Sequence, residues 1–145
     1  MENKDLIKLV IQIASETSKM AQEIIGKSFP INSLTIFTHS QPEFEALSKI
    51  LVELGKPCDY NNGPRVELYK PIEVGENRIT ELRIRKPDTT RPQLGCNDFE
   101  TNYEYFKEEY LLQYPDNLFL IKRSDYEMIE LRDKNFDVLA YVISS

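Results

Sequence analysis

Residues 65–86 read RVELYKPIEVGENRITELRIRK, and residues 126–143 read YEMIELRDKNFDVLAYVI. Both stretches carry apolar residues in alternation with polar ones, the period of a strand with one buried face. In the first, RVELYK (65–70) and RITELRIRK (78–86) are separated by a loop through Gly75-Glu76-Asn77, and Pro87 ends the second run. In the second, YEMIELR (126–132) precedes FDVLAYVI (136–143). The strand pair therefore occurs twice, and the question is whether its surroundings do too.

They do. Upstream of the first pair, SLTIFTH (33–39) is β-branched and aromatic and reads as a strand. Pro42 then stands where a helix begins, and EFEALSKILVELG follows with Phe44, Leu47, Ile50, Leu51 and Leu54 on one face and Gly55 as the stop. Asn61-Asn62-Gly63-Pro64 is a turn. Upstream of the second pair, residues 98–101 read as a short strand, 102–113 as a helix closed by Pro115, and LFLIKR (118–123) as a strand. A supersecondary unit that recurs in order implies duplication. Such a unit covers one sheet face with its helix, so the other face packs on its sister or lines a cavity. The expected fold is α+β: a duplicated strand–helix–strands unit forming a curved mixed sheet around a cavity. An N-terminal helix is added, because Leu6, Leu9, Val10, Ile13, Met20 and Ile24 recur at helical spacing before Gly26. The chain then divides as one domain, 1–145, with a helical extension at 1–30, half-modules at 31–87 and 98–145, and a linker at 88–97.

Composition fits this. There are 145 residues, 41% hydrophobic and 29% charged, with 13 Pro plus Gly, which is globular composition. A chain of this size folds without a disulfide or metal staple. The net charge of −6 argues against a general nucleic-acid or anionic-membrane binder. Tyr103, Tyr105 and Tyr110 sit at helical spacing in an acidic segment and read as packing rather than as a base-stacking platform. No apolar run approaches the ~18 residues of a membrane span. The first residues carry Glu2, Asp5 and Glu16 rather than a basic flank and an unbroken apolar core, so a cytoplasmic protein is expected. Cys58 and Cys96 form no CxxC and read as reduced thiols.

Alternation assigns the charges to one face. Leu34, Ile36, Val66, Leu68, Leu82 and Ile84 point to the helices. The opposite face carries His39, Glu67, Tyr69, Glu81, Arg83 and Arg85, with Ile79 among them; Asp98 and Glu100 join if the second half copies the first. This is either the solvated side of the sheet or a half-enclosed ligand cavity. Arg83 and Arg85 at i, i+2 present two planar forks suited to a carboxylate or phosphate. The competing reading is cross-strand pairing with Glu67 or Glu100. His39, the single histidine, is a candidate general base beside Glu67 or Glu81, or a plain surface residue. No GxGxxG, Walker A, GxSxG or HExxH occurs.

The segment from SLTIFTHSQPEFEALSKILVELG through PRVELYKP, ITELRIRKPD and RPQLGCNDFE resembles the vicinal-oxygen-chelate superfamily, the glyoxalase/bleomycin-resistance fold, and within it the YecM-like branch. The resemblance runs over residues 30–145. Metal enzymes of that superfamily take ligands from the first and last strands of each half. By resemblance these positions fall on Ser33 or Thr35, on residues 81–85, on Asp98 or Glu100, and on a last strand offering Asp137 and Tyr141. A hydroxyl residue and two arginines stand where ligands are needed, so an intact metal site is not expected. If a divalent ion binds at all, Glu81, Asp98 and Glu100 are its ligands. The LRIR string is also similar to the triphosphate-tunnel family, but the opening Glu-x-Glu-x-Lys strand is missing.

Three functional expectations follow. The first is a small-molecule, anion-binding protein, with Glu67, Tyr69, Glu81, Arg83, Arg85, Asp98 and Glu100 as contacts, His39 as its proton-transfer group and no cofactor. The second is a metal-dependent isomerase, lyase or dioxygenase of the same fold. The third is an interaction module whose N-terminal helix docks on a partner or on a second copy as a homodimer.

Overall fold

The computed structural model describes residues 1–145. Helix α1 (Asn3–Ile24) leads into β1 (Ile31–Phe37), α2 (Gln41–Leu54), β2 (Gly55–Tyr60), β3 (Pro64–Val74) and β4 (Asn77–Arg85). Then come β5 (Gly95–Phe99), α3 (Tyr103–Tyr110), β6 (Leu118–Lys122), β7 (Glu127–Leu131) and β8 (Val138–Ile143). The fold is α+β, with three helices and one mixed sheet of eight strands in the order β2-β3-β4-β1-β5-β8-β7-β6. No helix is long and apolar enough to cross a membrane.

The pairing pattern is the same on either side of the centre. β1 runs parallel to β4 and β5 parallel to β8, and the outer pairs are antiparallel in both halves. β1 and β5 meet antiparallel in the middle, with Leu34 opposite Asn97 and Thr35 opposite Cys96.

Each helix starts where local chemistry dictates. Ser40 caps α2 by accepting the Glu43 N–H at 3.2 Å, with Pro42 in the first turn. Asn102 caps α3 in the same way through the Tyr105 N–H at 2.8 Å. α1 buries Leu6, Val10, Ile13, Ala14, Thr17, Met20 and Ala21, an i, i+3, i+4, i+7 stripe, against the sheet. It touches β1, β3, β5 and β8, so it spans the centre of the sheet. Its apolar stripe is occupied within the chain, which removes that stripe as the docking face of an interaction module.

One buried polar chain crosses the helix–sheet interface. Thr17 Oγ1 donates to Asn97 Oδ1 at 2.6 Å, and Asn97 Nδ2 donates to the Ser33 carbonyl at 2.8 Å. Both side chains are almost wholly buried. Buried polar groups this deep are tolerated only when paired.

Four sequence expectations need correction. The strand expected from residue 98 begins at Gly95, and residues 86–94 between β4 and β5 belong to no helix or strand. β5 starts with Gly, Cys and Asn, which carry no strand signal; Gly95 is needed because a Cβ there would lie 2.2 Å from the Thr35 carbonyl oxygen. β2 was not expected at all. Pro57 hides it, and an edge strand tolerates proline. α3 stops at Tyr110, short of 113. Ile79, expected on the charged face, is fully buried in the core, because alternation breaks where the β3–β4 register shifts between Glu67 and Ile72.

The Thr17–Asn97–Ser33 chain yields a direct test. Asn97→Ala is expected to cost about 1–3 kcal/mol by urea denaturation, since it strands buried partners. Adding Thr17→Ala should cost less than the sum of the single changes, because the two side chains share one bond.

Candidate functional site

The sheet face away from the helices carries the charge. Register explains why. Ser33, Thr35 and Phe37 of β1 stand beside Glu81, Arg83 and Arg85 of β4, and Thr35 faces Cys96 of β5. Arg65 and Glu67 of β3 stand opposite Arg83 and Glu81. Asp98 pairs with Tyr141 of β8, and Tyr141 with Glu130 of β7.

Two hollows share this face. One, of about 300 Å³, is lined by Arg83, Arg85, Arg91 and Arg123, by a single carboxylate, Asp98, and by Asn61, Asn62, Thr35, Phe37, Cys96, Tyr126, Met128, Tyr141 and Ile143. The other, of about 100 Å³, shares Thr35, Arg83, Cys96 and Asp98 with it and adds Ser33, Leu34, Arg65 and Glu81. A larger hollow of about 730 Å³ lies elsewhere, with Asp116, Asp133 and Asp137 set against Arg132 and Lys134.

The arginines are positioned by acids at the rim. Asp59 holds both Arg83 (2.7 Å) and Arg65 (3.0 Å), and Arg65 also reaches Glu81 at 2.9 Å. Arg83 donates to the Gly63 carbonyl at 2.8 Å. That contact needs the tight turn at 61–63: Gly63 has φ +145, and a Cβ there would sit 1.8 Å from the Ile84 carbonyl oxygen. Asp88 lies 3.5 Å from Arg85 and 3.6 Å from Arg91. Arg91 covers the Phe37 ring and donates to the Tyr141 hydroxyl at 3.3 Å. Arg85 Nε is buried without a hydrogen-bond partner. Around the groove, Arg65, Arg83, Arg85, Arg91 and Arg123 therefore stand among Asp59, Glu81, Asp88, Asp98 and Glu130.

Burial shifts three groups here. It pushes the Asp98 carboxyl up to about 6, helped by the charge of Glu100 and opposed by Arg65. It pushes the Cys96 thiol up to about 12, with the Asp98 charge adding to it, so the thiol stays protonated and is no nucleophile. Tyr141 is raised by burial and by donating its hydroxyl to Glu130 at 2.7 Å.

The sequence-derived residues do not all meet. Glu81, Arg83, Arg85 and Asp98 line the hollows. Glu67 is exposed, outside the lining of either hollow. Tyr69 is 73% exposed and lines a different hollow, shared with Ile7 and Ile11 of α1 and with Leu54, because β3 bulges beyond Glu67. Glu100 lies beyond the end of β5 and is exposed. His39 is also displaced: β1 ends at Phe37, so His39 falls in the turn before α2. There its Nε2 meets the Gln93 carbonyl at 2.9 Å and its Nδ1 lies 3.5 Å from Glu43. It is not placed to move protons in the groove. Arg91, Arg123, Asp59 and Tyr141 are the groove residues that strand parity left off the list. The first three sit on loops or an exposed edge strand, where alternation carries no information.

The donor set does not fit a resident metal. No group of three or more His, Cys, Asp or Glu side chains is placed to share an ion. Glu81 is engaged by Arg65, and Glu100 is outside the groove.

No family model and no curated protein matches the chain. Among solved structures, it is similar to a structural-genomics structure, protein EC4020, at TM-score 0.69 and 12% identity, over 100% of this chain and 92% of that one. A hypothetical protein, BH1468 from Bacillus halodurans C-125, aligns at TM-score 0.39 and 13% identity over 82% of this chain and 96% of that one. The first shows a shared fold.

Asp98 gives a pH test. Its pKa is higher folded (about 6) than the ordinary 3.8, so the folded state holds its proton more tightly. Stability from that protonated form is complete below about pH 4 and lost as pH rises through 6. Asp98→Asn is therefore expected to stabilise by on the order of 2 kcal/mol at pH 8 and by little at pH 4. Denaturant titration at the two pH values reads the difference.

Proposed function

We propose that this chain binds a small anion in the concave face of a glyoxalase-like sheet built from two strand–helix–strands units, akin to the YecM-like branch of the vicinal-oxygen-chelate superfamily. The observation that carries the reading is the lining of the 300 Å³ hollow: four arginines and one carboxylate in a chain whose net charge is −6. A random sample of this surface would be acidic. The recurrence of the same pairing order on both sides of the β1–β5 seam supports the doubled unit. With His39 displaced, Asp98 is the group in the hollow whose raised pKa, about 6, suits proton transfer, and the arginines are what support a binding role.

Guanidinium pairs suit an oxyanion because two parallel N–H bonds meet two oxygens. Arg83 is only 15% exposed and Arg85 only 23%, so an incoming anion meets donors already shielded from water. Charge-assisted bonds are stronger there than at an open surface.

A thermal-shift screen of the full chain against organic acids and phosphate tests this. A ligand present at 100 times its Kd stabilises by about 2.7 kcal/mol, roughly 5–10 °C for a domain of this size. Arg83→Ala with Arg85→Ala is expected to abolish that shift. Arg123→Ala, which breaks no ion pair, should reduce it without lowering the unliganded Tm. Unchanged shifts in both variants would remove the anion site.

A further inference from the structure

The two banks of the groove differ in chemistry. The bank from the first half is polar and basic: Arg83 and Arg85 on β4, with Asn61 and Asn62 on the turn above them. The bank from the second half is mixed: Arg123, Asp98 and the Tyr141 hydroxyl line it beside an apolar patch. Met128 of β7 and Ile143 of β8 are register partners, and Tyr126 precedes β7. All three line the same 300 Å³ hollow. Ile143 is 42% exposed and Tyr126 is 43% exposed, although beneath them Phe37, Leu139 and Tyr141 form a closed buried cluster packed against Met128. Singly exposed apolar side chains on a convex surface are ordinary. Here they line one hollow together with four guanidinium groups, a composition that suits a polar head beside an apolar body.

The acids limit the head. Asp98 stands inside the hollow, and Glu130 accepts from Tyr141 on its wall. A second negative charge on the ligand adds repulsion against both, which favours a monoanion.

Building on the anion reading above, we infer that the ligand is an amphipathic organic monoanion: a carboxylate held by Arg83 and Arg85, with a ring or short apolar chain laid on Tyr126, Met128 and Ile143. The volume admits one ring with a short arm rather than a long lipid chain, since about 300 Å³ is the lower limit of small-molecule sites.

Calorimetric titration of the full chain with 3-phenylpropionate, acetate, inorganic phosphate and 3-phenylpropionamide tests the inference. 3-Phenylpropionate is expected to bind at least tenfold tighter than acetate or phosphate, and the neutral amide at least tenfold weaker than its acid. Tyr126→Ser with Ile143→Ser alters only exposed side chains, so the fold should persist. It should erase the preference for 3-phenylpropionate over acetate while leaving acetate binding in place. Arg85→Gln should weaken both acids alike. If phosphate or acetate binds as tightly as 3-phenylpropionate, or the double variant keeps the preference, the amphipathic ligand is wrong while the anion site stands. If none of the anions binds, both readings fall together.

Discussion

The antiparallel seam between β1 and β5 is where the two halves of the sheet become one, and its register is set by a residue that would otherwise be costly to bury. Asn97 lies under α1, bonded to Thr17 on the helix and to the Ser33 carbonyl on the neighbouring strand. A slip of one residue in β5 would turn Asn97 to the groove and drive Cys96 and Asp98 into the apolar layer. Asp98 there would carry its charge into a core of aliphatic side chains. The polar chain therefore penalises the wrong register more than it stabilises the right one, which is the use of a buried polar group best supported in general.

With that register fixed, the two faces of the sheet separate. The helix face collects Leu34, Ile36, Leu82, Ile84, Val138, Ala140 and Val142 in one core of 29 buried residues. The groove face collects Thr35, Arg83, Arg85, Cys96 and Asp98 in adjoining rows. The hollow is thus a consequence of curvature and seam together: each half supplies one bank, and neither half alone encloses anything.

Much of this is legible in the residues. α1, α2 and the four runs of alternating Val, Ile, Leu and Tyr are visible because packing and local propensity agree. So is the facing of Glu81, Arg83 and Arg85, since strand parity alone determines it. The failures have one physical root. Parity works only within a strand whose ends are known. The sequence reading extends β1 to residue 39, whereas the strand stops at 37 and the chain turns into the α2 cap, so His39 leaves the sheet. β3 bulges after Glu67, so Tyr69 turns towards α1 and Ile79 drops into the core. β5 opens with Gly-Cys-Asn, chosen for close approach and for the Thr17 bond rather than for strand propensity. Arg91 and Asp88 meet through a loop turn in which Thr90 bonds Asp88 and holds its carboxyl below the ordinary range. Nothing in periodicity reports such a turn.

An acidic protein with a basic hollow has to keep its arginines from being neutralised by its own surplus of carboxylates. The arrangement here does this by sharing. Asp59 serves Arg65 and Arg83, and Asp88 serves Arg85 and Arg91. Each carboxylate fixes the direction of two guanidinium groups while cancelling the charge of one. Rim pairs of this kind contribute little to stability, and their value lies elsewhere. They remove rotamer freedom that an anion would otherwise have to freeze out on binding, a cost of about 0.5–1.5 kcal/mol for each long side chain. Because the far field of a chain at −6 repels anions, attraction by the arginines acts only at short range, within the hollow. Recognition then rests on what can enter the recess and not on what is drawn to the surface. On the proposed reading, Tyr126, Met128 and Ile143, which share the hollow with the arginines, discriminate among the anions that enter.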